Sequence, residues 1–114
     1  MNELPVLMGA DRFEEKTYRE RSMPLMRGRI VGYDADQMTF KFTMMHEARI
    51  VDCEISSIAL DDLAGERGVR PGEREAQFKL LRDVIERVAS DIFDKRGEAK
   101  GETFRIFAKH VRNR

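Results

Sequence analysis

MTFKFTMMHEARIVDCEIS, residues 38 to 56, decides the fold. Met38, Phe40, Phe42 and Met44 alternate with Thr39, Lys41 and Thr43. After a break at HEA (46–48), Val51, Cys53 and Ile55 alternate with Ile50, Asp52 and Glu54. Neighbouring side chains on a strand point to opposite faces, so this period of two predicts a pair of antiparallel strands with one apolar face. Cys53 then falls among core residues, where a free thiol behaves as a small hydrophobe. Its sequence neighbours are acidic, whereas a reactive thiolate needs an electropositive setting.

Working back toward the N-terminus, DADQ (34–37) reads as a turn and LMRGRIVGY (25–33) as a first strand. Gly28 and Gly32 within it predict a bulge or a close backbone approach. Residues 1–24 form an arm of uncertain order. LPVLM within it suits a short strand, and DRFEEKTYRERS suits a turn or two of helix capped by Asp11.

Working forward, the period changes at Ser56. Ser56 or Ser57 supplies an N-cap for a short helix SIALDDLA, which Gly65 stops. GERGVRPG is a connector. Pro71 and Gly72 introduce the longest helix, residues 73–96, ended by Gly97. Phe78, Leu81, Ile85, Val88 and Ile92 recur at helical spacing, and Val84, Ala89 and Phe93 widen the stripe to roughly half the cylinder. ETFRIFAKHV (102–111) reads as a last strand with Phe104, Ile106 and Ala108 on one face and Phe107 on the other. The order β-β-β-α-α-β gives an α+β fold: a small, mainly antiparallel sheet packed on one long amphipathic helix. The domain spans 25–111, and 112–114 form a basic end.

The YDADQ turn, the strand pair and the sequence V-x-C-x-I-S-x-x-A-L-x-D together resemble the small bacterial family catalogued as domain of unknown function 1488. That pattern is carried by Val51, Cys53, Ile55, Ser56, Ala59, Leu60 and Asp62. The resemblance covers about residues 30–110, and the longer N-terminal arm departs from it. It implies a compact α+β fold and assigns no activity.

Composition narrows the function. The chain has 114 residues, 41% hydrophobic and 37% charged, with no Trp. Its 21 basic and 21 acidic side chains cancel, so no global field draws in nucleic acid or an anionic membrane. A lone Cys forms no intrachain disulfide, which fits a reducing compartment. No signal-peptide pattern opens the chain and no apolar run reaches the length of a membrane span, so a cytoplasmic protein is expected.

The chemistry-bearing residues do not assemble into a recognisable site. His46 and His110 lack ligand spacing, so no metal is expected, and no cofactor fingerprint is present. Ser22, Ser56, Ser57 and Ser90 lie outside any nucleophile elbow. Asp61 and Asp62 are adjacent on a helix and point roughly 100° apart, which suits a solvated acidic edge better than a catalytic pair. No catalytic residue is nominated.

Two weaker features remain. Arg67, Gly68, Arg70 and Gly72 sit in a glycine-rich loop before a helix N-terminus, where an anion could bind. Lys100, Arg105, Lys109, Arg112 and Arg114 make the C-terminal strand and tail basic, suited to nucleic acid or an acidic partner. The wide helix stripe and the free strand edges favour a homodimer. The function expected is therefore a non-catalytic interaction module acting as a homodimer, with binding of nucleic acid or an acidic partner as the alternative.

Overall fold

The computed structural model describes residues 25–96 and 102–112. The expectations for the N-terminal arm, for Gly97 and for Lys100 and Arg114 fall outside these residues. Three strands follow one another: β1 (Met26–Asp34), β2 (Thr39–His46) and β3 (Arg49–Ser56). Helix α1 (Ser57–Ala64) comes next, then a 3₁₀ turn at Pro71–Glu73 and the long helix α2 (Arg74–Arg96). A short strand β4 (Phe104–Ile106) and a one-turn helix α3 (Ala108–Arg112) complete the order.

The sheet runs β1-β2-β3-β4, antiparallel except for the parallel β3–β4 pair. The α+β architecture read from the sequence is the architecture observed. Phe40 pairs with Ile55, Phe42 with Cys53 and Met44 with Val51, so the apolar alternation of the two strands meets on one face. All six of these side chains are buried. Phe78 of α2 lies on this face with its ring 4.5 Å from Phe40 and 5.0 Å from Phe42. Burying one such aromatic contributes about 1.5–3 kcal/mol. Met38, expected on the same face, is instead exposed in the turn with a left-handed φ of 56°.

The bulge expected in β1 is present. Its register against β2 shifts between Arg27 and Ile30 and again between Ile30 and Gly32. At Gly28 the two backbones come so close that an added Cβ would lie 2.4 Å from Thr43 O and Oγ1. Thr43 Oγ1 accepts the Arg29 N–H at 2.8 Å, which pins the irregular stretch.

Helix α1 is set by its ends. The Ser56 hydroxyl accepts the Ala59 N–H at 3.1 Å, and Gly65 caps the other end at φ 67°. Ser57 does a different job: its hydroxyl donates to Met38 O at 3.0 Å and bonds Tyr33 Oη at 2.8 Å, tying α1 to the first turn. On α2, Phe78, Ile85, Val88, Ala89 and Phe93 are buried, and Leu81, Val84 and Ile92 pack partly buried against the same core. Leu80, outside the stripe, is 88% exposed.

The last strand is shorter than the sequence suggested. Ile55–Ile106 is the final β3–β4 pair, because at Ser56 the chain of β3 turns into α1. With no partner left, residues after Phe107 fold as α3, so Lys109 and His110 sit on a helix rather than on the expected strand, and Arg112, expected in the basic end, is the last residue of that helix.

Candidate functional site: a basic cleft between α2 and α3

Helix α3 begins where β4 loses its neighbour. The Phe107 N–H donates to His110 Nδ1 at 2.8 Å, and the His110 N–H donates to Phe107 O at 2.9 Å. The first of these is half of a capping box, with an imidazole nitrogen in the place of the usual carboxylate or amide oxygen. Val111 packs against the core, and Arg112 Nε reaches Asp62 at 2.7 Å, so α3 lies against α1.

Between α3 and the last turns of α2 lies a cleft of about 610 Å³. Val88 and Ile92 line its apolar part; Asp91, Lys95, Arg96, Lys109 and His110 surround it. A second cleft of about 670 Å³ shares Arg96, Lys109 and His110 and adds Glu102, Thr103, Arg105 and Phe107. Arg96 and Lys109 therefore sit where the two clefts meet, with Lys95 in the first and Arg105 in the second. Arg96 stacks over the Phe104 ring at 5.1 Å and reaches Glu102 at 3.5 Å. Lys95 and Lys109 make no ion pair among the described residues. Burial pushes His110 below the ordinary imidazole value, and the charges of Lys109 and Arg96 push it the same way. At neutral pH the ring is neutral with its proton on Nε2, because Nδ1 accepts a hydrogen bond.

The profile of the family described as "Protein of unknown function (DUF1488)" matches residues 28–104, more than half of the chain. The chain belongs to the DUF1488 family. A crystal structure of a DUF1488 protein of unknown function from Shewanella loihica PV-4 has the same fold, with a TM-score of 0.64 at 18% identity. The match covers 74% of this chain and 92% of that one. No curated protein matches. In this DUF1488 protein the matched segment includes Lys95 and Arg96, whereas Lys109 and His110 lie beyond it.

The other candidate residues fall as follows. Arg105 Nε is 3.0 Å from Glu54, and Arg112 is paired with Asp62, so two of the basic C-terminal residues serve internal contacts. Lys41 bridges Asp34 at 3.7 Å and Glu54 at 3.8 Å, which extends the Arg105 contact into a row of alternating charge across all four strands. In the glycine-rich loop, Arg70 Nη2 pairs with Glu73 at 3.1 Å, and the Arg70 N–H donates to the same carboxylate at 3.3 Å. Glu73 thus supplies the negative charge that the start of α2 favours. Arg67 and Gly68 are exposed in the connector, and Gly72 belongs to the 3₁₀ turn.

Asp61 is not part of a solvated edge. Its Oδ1 accepts from Arg74 Nη1 at 2.7 Å and from Gln77 Nε2 at 3.1 Å, and both donors are buried. Burial pushes the Asp61 carboxyl up, but the Arg74 and Gln77 hydrogen bonds and the Arg74 charge outweigh it and hold the group below the usual carboxylate range. Arg74 also lies over the Tyr33 ring at 5.6 Å. The sequence carried a signal for this cluster, since Arg74 and Gln77 continue the stripe of Phe78 and Leu81 backward at helical spacing.

Cys53 is 2% exposed, and its thiol donates to Val51 O at 3.6 Å. Burial and the Asp52 charge push it up to about 12. His46, at the end of β2, packs against Phe93 with ring centroids 4.7 Å apart and the planes tilted by 53°. Among the described residues no cluster of three His, Cys, Asp or Glu side chains is placed to hold a metal ion. Among them no helix is long and apolar enough to cross a membrane.

Proposed function

We propose that this protein is an interaction module that takes a short acidic segment of a partner protein in the cleft between α2 and α3. The observation that carries the reading is the pairing of apolar Val88 and Ile92 with the cations Lys95, Arg96 and Lys109 around one concavity. Two of these cations have no ion pair among the described residues to compete with a ligand. A carboxylate there exchanges water for ammonium and guanidinium donors beside an apolar surface, which strengthens the attraction.

Nucleic acid is the weaker reading. A phosphate backbone needs a track of cations, and here Asp91 and Glu102 interrupt the set while Arg105 and Arg112 serve Glu54 and Asp62. The homodimer rested on the α2 stripe and on the strand edges. Phe78, Ile85, Val88, Ala89 and Phe93 of the stripe are buried within one chain, and Leu81, Val84 and Ile92 are partly buried. Edge strand β1 carries Arg27, Arg29 and two register shifts, features that oppose edge-to-edge pairing.

The test is fluorescence anisotropy with a labelled twelve-residue peptide of alternating Glu and Leu. Binding that weakens at least tenfold in Lys95→Glu/Lys109→Glu, and changes less than twofold in Arg67→Glu, is the expected result. Equal affinity for the wild type and the double variant would remove the cleft from the function. Preference for a single-stranded oligonucleotide over the peptide would transfer the site to the nucleic-acid reading.

A further inference from the structure

The residue that caps α3 also lines both clefts, and these two roles make opposite demands on its ring. As a cap, His110 needs an unprotonated Nδ1 to accept the Phe107 N–H at 2.8 Å. As part of the cleft wall beside Lys109 and Arg96, it adds a positive charge when protonated. We propose that His110 is a proton-operated gate on the cleft: protonation releases the start of α3 and makes the site more cationic, so that an acidic ligand binds more tightly as pH falls. This rests on the acidic-partner reading above.

Protonated imidazole has donors on both nitrogens and no acceptor. Nδ1–H would then face the Phe107 N–H, donor against donor, and the ring must turn away. Phe107 stacks on that ring at 5.9 Å and is 45% exposed, so both rings have room to move toward solvent. The lost contact is the side-chain cap on the first turn of a five-residue helix, which leaves the His110 N–H to Phe107 O bond as the backbone closure of that turn. Such a helix has little stability of its own, so its order depends on the cap, on Val111 and on the Arg112–Asp62 pair.

The charged groups around the ring set the direction of coupling. From α2 come Asp91, Lys95 and Arg96; from α3 itself, Lys109; from the β4 side, Glu102 and Arg105; and α1 presents Asp62, held by Arg112. Burial first, then Lys109 and Arg96, hold the proton off in the free protein. A bound carboxylate offsets those cations and favours the protonated ring. Binding therefore takes up a proton, and linkage requires that affinity rise as pH falls through the histidine range.

The test uses the full chain and the Glu/Leu peptide at pH 8.0 and pH 5.5, both above the ordinary carboxylate range. The comparison variant is His110→Gln, which keeps an acceptor for the Phe107 N–H and does not titrate. Wild-type affinity should rise roughly threefold to tenfold at the lower pH, the gain expected for one partly screened charge. His110→Gln should rise less than twofold. In the free protein, NMR should show the Nε2–H tautomer at pH 8.0 and a Phe107 amide shift that moves with the same midpoint as the His110 ring.

Peptide binding of equal strength at both pH values would overturn the gate and leave the cleft as a binding site. A Phe107 amide that does not follow the ring titration would also overturn it, since the cap would then be independent of the proton. Peptide binding at neither pH would overturn the acidic-partner reading and the gate together.

Discussion

Single residues in this protein carry opposite chemistry depending on which face of an element they occupy. Cys53 and Asp52 are neighbours in sequence, yet one is buried and the other exposed. With its thiol pushed up to about 12, Cys53 stays protonated at neutral pH. Iodoacetamide at pH 8 should leave it unmodified in the native protein and label it fully in denaturant, as read by mass spectrometry; fast native labelling would contradict the buried assignment. Gly28 is fixed by space, because Thr43 backbone and hydroxyl oxygens stand where a Cβ would go. Gly28→Ala should lower stability by about 1–3 kcal/mol in urea unfolding. An unchanged midpoint would mean that β1 and β2 can separate there without loss.

At the scale of elements, helix α1 shows how few residues set a boundary. Ser56 ends β3, caps α1 and thereby removes the next rung that β4 would need. Ser56→Ala should destabilise by about 1 kcal/mol, and Ser57→Ala should add a loss of about the same size by leaving Tyr33 Oη without this partner and removing one of the two donors to Met38 O, which keeps the Ser57 N–H at 2.9 Å. Amide exchange across 57–60 distinguishes the two. Loss of the cap should speed exchange at Ala59, whereas loss of the Ser57 contacts should act on the Met38 turn. The period-two and period-3.6 patterns predicted β2, β3, α1 and α2. They misplaced the end of β4, because the alternation of Phe104, Ile106 and Ala108 carries no information about where the neighbouring strand stops.

Across the whole molecule, the Asp61–Arg74–Gln77 cluster joins α1 to α2, and Arg74 on Tyr33 joins both to β1. Arg74→Met should cost roughly 2–3 kcal/mol, somewhat below a fully buried pair because Asp61 is still 24% exposed. Since Asp61 lies below the usual carboxylate range in the folded protein, its contribution is complete above that range and is lost as pH falls through its lowered value. Asp61→Asn should therefore be less stable than the wild type at pH 7, with the gap closing as pH drops below about 4. A gap independent of pH would show that the amide loses packing rather than charge. The same long-range logic applies to the C-terminus. Arg105 and Arg112 looked like members of one basic surface, and folding brought each to a carboxylate about fifty positions away.

Local patterns in the chain were enough for the order of elements as far as β4, the apolar face of the sheet, the burial of Cys53 and the extent of α1, with its cap narrowed to Ser56 or Ser57. These depend on local periodicity and on side chains bonding their own backbone, which a linear pattern contains. Folding alone separates the charges spent on internal pairs from those left outside such pairs among the described residues. Lys95 and Lys109 are no more basic than Arg105 and Arg112; what separates them is the chance of a carboxylate lying opposite in the folded chain. The cleft was invisible for the same reason, since its walls come from the end of α2 and from a helix that exists because β4 ran out of partners.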